Sequence, residues 1–187
     1  MKKTTKRMWT VLGIVVVLIM AALGGAILKA ILETRNMSPS ATQEIINNVY
    51  AVKDGYVNLF LIKGTDGYIA IDVGNNLKGV RQEMQKLSID PLKVAAVFLT
   101  HTDADHVAAL DLFSNAKIYI SRAEEQMING KTPRFVVMKN KKIAHYELLD
   151  HDQTITVSGL SVRGVATPGH TPGAMSYVVN NAFLFTG

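Results

Sequence analysis

The feature that most constrains this chain is a stretch from Met8 to Leu28 without one charged side chain, preceded by Lys2, Lys3, Lys6 and Arg7. At ~1.5 Å per helical residue the stretch can cross a hydrocarbon core of roughly 30 Å. Val and Ile fall on every face of such a helix, so it has no polar stripe of the kind a helix on a soluble core presents to water. The chain therefore divides into a basic cytoplasmic tail (1–7), a transmembrane anchor or signal segment (8–28), a linker (29–48) and a folded domain (49–187). Pro39 and the Ser, Thr, Asn and Gln around it give the linker its character. The basic cluster precedes the apolar run, which by the positive-inside rule places the folded domain outside the cytoplasmic membrane. A cleaved signal peptide is the rival reading, with Gly24-Gly25-Ala26 as a loose cleavage site. The two readings give a single-pass membrane protein or, if cleaved, a secreted one.

Charge follows the same division. The formal net charge is +5 and the pI about 9.4, values that on their own invite nucleic acid or anionic membrane as a partner. Yet six of the 20 basic residues and only Glu33 of the 15 acidic ones lie at or before Arg35, so the remainder is neutral. That argues against nucleic acid and leaves the membrane contact to residues 8–28. One basic stretch stands outside the anchor: Lys131, Arg134, Lys139, Lys141 and Lys142. It reads as a solvated hairpin, with contact to an anionic substrate as the other reading. With no cysteine in the chain, disulfides, thiolate nucleophiles and cysteine metal sites are excluded, and any metal must use His, Asp or Glu.

After the linker, Val49 to Val52, Tyr56 to Ile62 and Tyr68 to Val73 are short β-branched and aromatic runs separated by Asp-Gly turns, a three-stranded antiparallel start. Leu77, Val80, Met84 and Leu87 recur at helical spacing. Val94 to Thr100 is a continuous apolar strand that runs directly into His101-Thr102-Asp103-Ala104-Asp105-His106. A helical stretch to Phe113, a strand over Lys117–Ile120 and a helix around Ala123–Ile128 follow. Further strands are expected near Phe135–Met138, Lys142–Leu148, Thr154–Val157, Leu160–Ala166, Met175–Val179 and Phe183–Phe185. Strands and helices mix without strict alternation, which favours a layered α/β sandwich over a doubly wound sheet.

The hexad holds four side chains able to ligate a metal. In extended backbone His101 and Asp103 project to one side and can share an ion; Asp105 and His106, at a turn opening a helix, can diverge toward a second one. Two ions a few ångströms apart form a centre that can activate water and steady a leaving oxygen. Farther on, Thr167-Pro168-Gly169-His170-Thr171-Pro172-Gly173 presents one His between two Pro-Gly pairs, a turn stiffened at each Pro and free to bend at each Gly. His145 and His151 match no ligand position and read as surface histidines. Asp72, at the end of a core strand, is open to two roles: bonding a loop or steadying a ligand His.

Taken together, Tyr56-Val57-Asn58, Ile71-Asp72-Val73-Gly74, Thr100-His101, the hexad, Leu148-Leu149-Asp150 and Thr167 to Gly173 resemble the metallo-β-lactamase superfamily from about Val49 to Gly187. The resemblance implies an αββα sandwich, here its N-terminal portion. It also implies two divalent ions, zinc first and manganese or iron as alternatives. His101, Asp103 and His170 would hold one ion and Asp105 with His106 the other, with Asp105 the catalytic residue. The implied activity is a metal-dependent hydrolase acting through activated hydroxide on a small-molecule ester, amide, thioester or phosphoester. Three departures stand out. Asp103 replaces the second His of the usual His-x-His-x-Asp-His motif and hardens that position; the hydrolase domain of DNA-uptake competence proteins carries Asp there and flavodiiron oxidoreductases carry Glu. Ala108-Ala109 replaces a common Gly-Gly. The family's bridging Asp, final His and further half would follow Gly187, so the domain is expected to be incomplete at its C-terminus. A diiron-type oxidoreductase and a non-catalytic binding module of the same fold remain as other readings.

Overall fold

The structure, a computed structural model, describes residues 2–35, 38–132, 140 and 142–187. It has two units, one ending at Ser38 and the other spanning Pro39–Gly187. In the first, α1 (Lys2–Arg35) is one unbroken helix. Its Arg7–Lys29 portion has a mean hydropathy of 2.9 and no buried residue, which makes it a candidate membrane span by length and composition.

The second unit contains two sheets. The larger runs in the order β1 (Gln43–Ile46), β2 (Val49–Asp54), β3 (Val57–Lys63), β4 (Tyr68–Ile71), β5 (Val94–Phe98), β6 (Lys117–Ser121) and β7 (Glu147–Leu149). Its first four strands are antiparallel, while β4 through β7 are parallel. The smaller is an antiparallel meander of β8 (Thr154–Val157), β9 (Leu160–Ala166), β10 (Met175–Val179) and β11 (Phe183–Phe185). α2 (Leu77–Lys86) connects β4 to β5, and Asn76 caps it by accepting from the Lys78 and Gly79 amides. α3 (Ala104–Val107) follows β5, and α4 (Glu125–Ile128) follows β6 behind a 3-10 turn over Arg122–Glu124.

Side-chain alternation along the central strands explains the layering. Val97 and Leu99 on one face join Val80 and Met84 of α2 in a helix-side core, whereas Ala96 and Phe98 on the other meet Val162, Met175 and Tyr177 of the smaller sheet. Both faces of β5 are thus covered, as its unbroken apolar run requires. Phe98 stacks on Tyr119 at 4.8 Å and meets Tyr177 edge-on at 5.4 Å. Burial pushes the Tyr177 phenol well above its ordinary pKa, with the charges of Asp72 and Glu124 adding to the effect. The hydroxyl stays protonated and donates a hydrogen bond to the Leu99 carbonyl at 2.7 Å, pinning the two sheets together just below the hexad.

Two expectations shift. The linker over 29–48 begins as helix and ends as strand: α1 runs to Arg35, and β1 pairs with β2 from Gln43 onward. Thr42 and Asn58 draw this stretch in, Thr42 Oγ1 accepting from the Lys53 amide at 3.0 Å and Asn58 bonding both backbone groups of Ser40. The strand expected over Lys142–Leu148 is only Glu147–Leu149, because β6 offers pairing partners solely through Tyr119–Ser121. The strand expected near Phe135–Met138 lies outside the described residues, as do Arg134, Lys139 and Lys141 of the basic stretch.

Candidate metal centre

The centre sits where β4 and β5 end at their C-terminal edges, beside the loop leading into β10. Asp72 organises it. The residue directly after β4 has φ +58, a left-handed conformation that Asp tolerates better than most side chains. That turn, with the Asp72 amide still bonded to Phe98 O, carries the carboxylate beneath the hexad. Oδ1 accepts the Thr100 amide and Oδ2 the Thr100 hydroxyl, each at 2.8 Å. His106 Nδ1 donates to Oδ2, also at 2.8 Å, so its Nε2 is the nitrogen left to face the centre. Asp72 therefore takes both parts left open by the sequence: it bonds a loop and orients a histidine. Burial opposes charging His106, but the hydrogen bond from Asp72 and the charges of Asp72, Asp105 and Asp103 outweigh it and push the imidazole above its ordinary pKa.

His101 is buried, its Nδ1 3.1 Å from Thr100 Oγ1 and its ring 3.9 Å from that of His106 and 4.7 Å from that of His170. Asp103 Oδ2 lies 3.7 Å from His101 Nε2 and 3.0 Å from His170 Nε2. One ligand atom from each of His101, Asp103 and His170 falls within 4.8 Å of the others. Two imidazoles and a carboxylate at that separation form a donor set that fits a divalent ion. Asp105 and His106 pair separately, Oδ2 to Nε2 at 3.7 Å. The five expected ligands thus gather in one place, grouped as three and two. His145 and His151 lie apart and exposed, His151 Nδ1 accepting the Ala166 amide.

Sequence reasoning missed two buried acids. Asp54, read as part of a turn, accepts the Asn75 and Asn76 amides at 2.6 Å and so secures the loop between β4 and α2. Glu124, 1% exposed, reaches both ligand-bearing loops. The available signal for Glu124 points elsewhere: Ser121-Arg122-Ala123-Glu124 has the spacing of a capping box, which would turn the Glu back on its own helix start. Ser121 does cap, accepting the Glu124 amide at 3.1 Å, but the Glu side chain goes inward.

Comparison with known proteins agrees with this geometry. Residues 52–187 match the family model of the metallo-beta-lactamase superfamily. A probable polyketide biosynthesis zinc-dependent hydrolase of Bacillus velezensis is 26% identical over 76% of this chain and 58% of its own length. A probable metallo-hydrolase of Bacillus subtilis is 27% identical over 68% and 62%. Among solved structures, a subclass B3 metallo-β-lactamase of Bradyrhizobium japonicum superposes with a TM-score of 0.68 at 18% identity, covering 76% of this chain and 58% of that one. The chain spans about three fifths of the length of these curated relatives. With its hexad and its Pro-Gly-framed His170 both within the matched residues, this chain belongs to the metallo-β-lactamase superfamily.

Proposed function

We propose that the protein is a metal-dependent hydrolase of ester, amide, thioester or phosphoester bonds, with its folded domain outside the cytoplasmic membrane. The observation that carries the reading is the convergence of His101, Asp103 and His170 ligand atoms within 4.8 Å, next to the Asp105–His106 pair. A divalent ion held there by His101, Asp103 and His170 would lower the pKa of water and polarise the scissile carbonyl or phosphoryl group. The chain's own residues supply the rest. Asp72 holds His106 in the tautomer that leaves Nε2 free to ligate. Asp105, whose side chain is 27% exposed beside His106, is the proposed catalytic residue, helping to hold the second ion and orienting the attacking water. Relatives named as zinc-dependent or metallo-hydrolases support the class, and zinc is the proposed ion. Asp103 is the one observation favouring a harder ion such as manganese or iron.

The test is metal analysis of the purified protein together with turnover of p-nitrophenyl acetate, a model thioester and bis-p-nitrophenyl phosphate, with and without chelator. Chelator-sensitive hydrolysis of one of them, abolished by Asp105→Ala, is expected. Bound metal without any hydrolysis favours the oxygen-reducing or binding readings; no bound metal and no hydrolysis ends the proposal. The membrane placement rests on the charge asymmetry around Arg7–Lys29. Protease added to spheroplasts should remove the domain, and full protection would reverse the orientation.

A further inference from the structure

Glu124 has no part in the chemistry above, yet it is among the most deeply buried charged side chains of the domain. Four donors converge on its two oxygens. Oε1 accepts the Thr102 amide and the Thr102 hydroxyl, each at 2.8 Å; Oε2 accepts the Thr171 hydroxyl at 2.7 Å and the Gly173 amide at 3.2 Å. Thr102 lies between His101 and Asp103, and Thr171 directly follows His170. One carboxylate therefore ties together the two loops that carry the three clustered candidate ligands.

The joint is closed on all sides. Asn140 Nδ2 donates to the Thr102 carbonyl and hydroxyl oxygens at 2.9 and 3.0 Å, and Ser121 Oγ donates to Gly173 O at 2.6 Å. Gly173 lies so close that an added Cβ would overlap the Glu124 backbone. Burial this complete excludes water as a substitute acceptor, so the Thr102 and Gly173 amides depend on this carboxylate.

We infer that Glu124 is a positioning residue of the metal centre: by accepting from Thr102 and Thr171 it sets the distance between the His101–Asp103 loop and His170, and so the metal affinity of the site. The inference rests on the metal reading of those three residues. A ligand set is useful only when held within a fraction of an ångström, and outer partners of metal ligands set that tolerance. A glutamine cannot replace Glu124. Its amide nitrogen must face either the Thr102 amide or the Gly173 amide, both of which are donors that cannot reverse.

Cobalt(II) titration of the intact metal-free protein in detergent, followed by visible absorption, tests this alongside the thermal midpoint of each metal-free variant. Glu124→Gln should weaken cobalt binding by about tenfold or more and alter the absorption band, in the range that outer-partner substitutions cover. Thr171→Val, which removes one hydroxyl donor, should weaken it roughly threefold, below that range, with little change in midpoint. Met84→Ala, in the helix-side core away from the centre, should lower the midpoint and leave cobalt affinity within about twofold. Wild-type affinity in both Glu124→Gln and Thr171→Val overturns the inference. So does an equal loss of affinity in Met84→Ala, which would make the effect one of general stability. If Glu124→Gln does not fold, Thr171→Val decides. Absence of cobalt uptake by the wild type would defeat the metal reading itself, whereas unchanged variants beside a binding wild type defeat only the role of Glu124.

Discussion

His106 and His170 belong to one centre but are held by different means. The His106 side chain is 13% exposed, and its Nδ1 is fixed by an Asp72 carboxylate that also accepts two bonds from Thr100. Asp72 in turn continues the backbone ladder of the larger sheet. The His170 side chain is 58% exposed, rides on the Pro-Gly loop and touches Asp103 and the edge of His101. One candidate ligand is thus built into the sheet. The other is brought up to it by a loop whose geometry is set at a distance. Altering the first should damage the fold and the site together, while altering the second should damage the site alone.

The largest effect is expected at Asp72. Asn keeps the tolerance for a positive φ but is neutral: it exchanges three bonds to a charged carboxylate for weaker ones and, with its nitrogen toward His106, turns that imidazole to the Nε2–H tautomer. Asp72→Asn should cost about 2–4 kcal/mol of stability, read from urea unfolding of the metal-free protein. A loss under about 1 kcal/mol, no more than an ordinary hydrogen bond, would mean that this side of the centre is not built into the sheet. His170→Ala is the counterpart. Stability of the metal-free protein should move by no more than about 0.5 kcal/mol, as at other exposed sites. Zinc affinity by calorimetry should nevertheless fall about a hundredfold, the upper end of what outer partners of a ligand cost. A stability loss matching Asp72→Asn would erase the contrast between the two histidines.

The same contrast governs what could be read from sequence. The parallel core strand β5 was legible because Val94–Phe98 is apolar on both faces, and the hexad at its end was legible because four ligating side chains crowd into six residues. His170 stood out through its Pro-Gly frame. Each of those signals is local. Glu124 and Asp54 gave no such signal, because a lone acid beside a strand end has the same composition whether it faces solvent or closes a joint across the domain. The strand over Gln43–Ile46 is hidden for a related reason: it is exposed along its whole length and lacks the alternation that marks a half-buried strand, and it pairs with the edge that β2 offers.

A smaller effect is expected where the two sides meet. Asp103 lies between His101 and His170 and is the one carboxylate among the three clustered candidate ligands. Asp103→His should raise the preference for zinc over manganese about tenfold, since imidazole suits zinc where carboxylate suits manganese. Competition between the two ions, monitored by metal analysis after dialysis, reads this directly. An unchanged preference would show that Asp103 acts through its contact with His170 rather than as a ligand.

The smallest effect separates the loop from the sheet beneath it. At the base of the Pro-Gly loop Thr167 Oγ1 and Ser176 Oγ are 3.1 Å apart, and Ser176 is buried on β10. Ser176→Ala removes this bond but touches neither Thr171 nor Gly173, through which Glu124 holds the loop. Stability should therefore fall by about 1 kcal/mol or less, while zinc affinity stays that of the wild type. If affinity falls more than stability does, His170 is positioned from the base of its loop as well as from Glu124, and the loop is more deeply joined to the smaller sheet than the exposure of its histidine suggests.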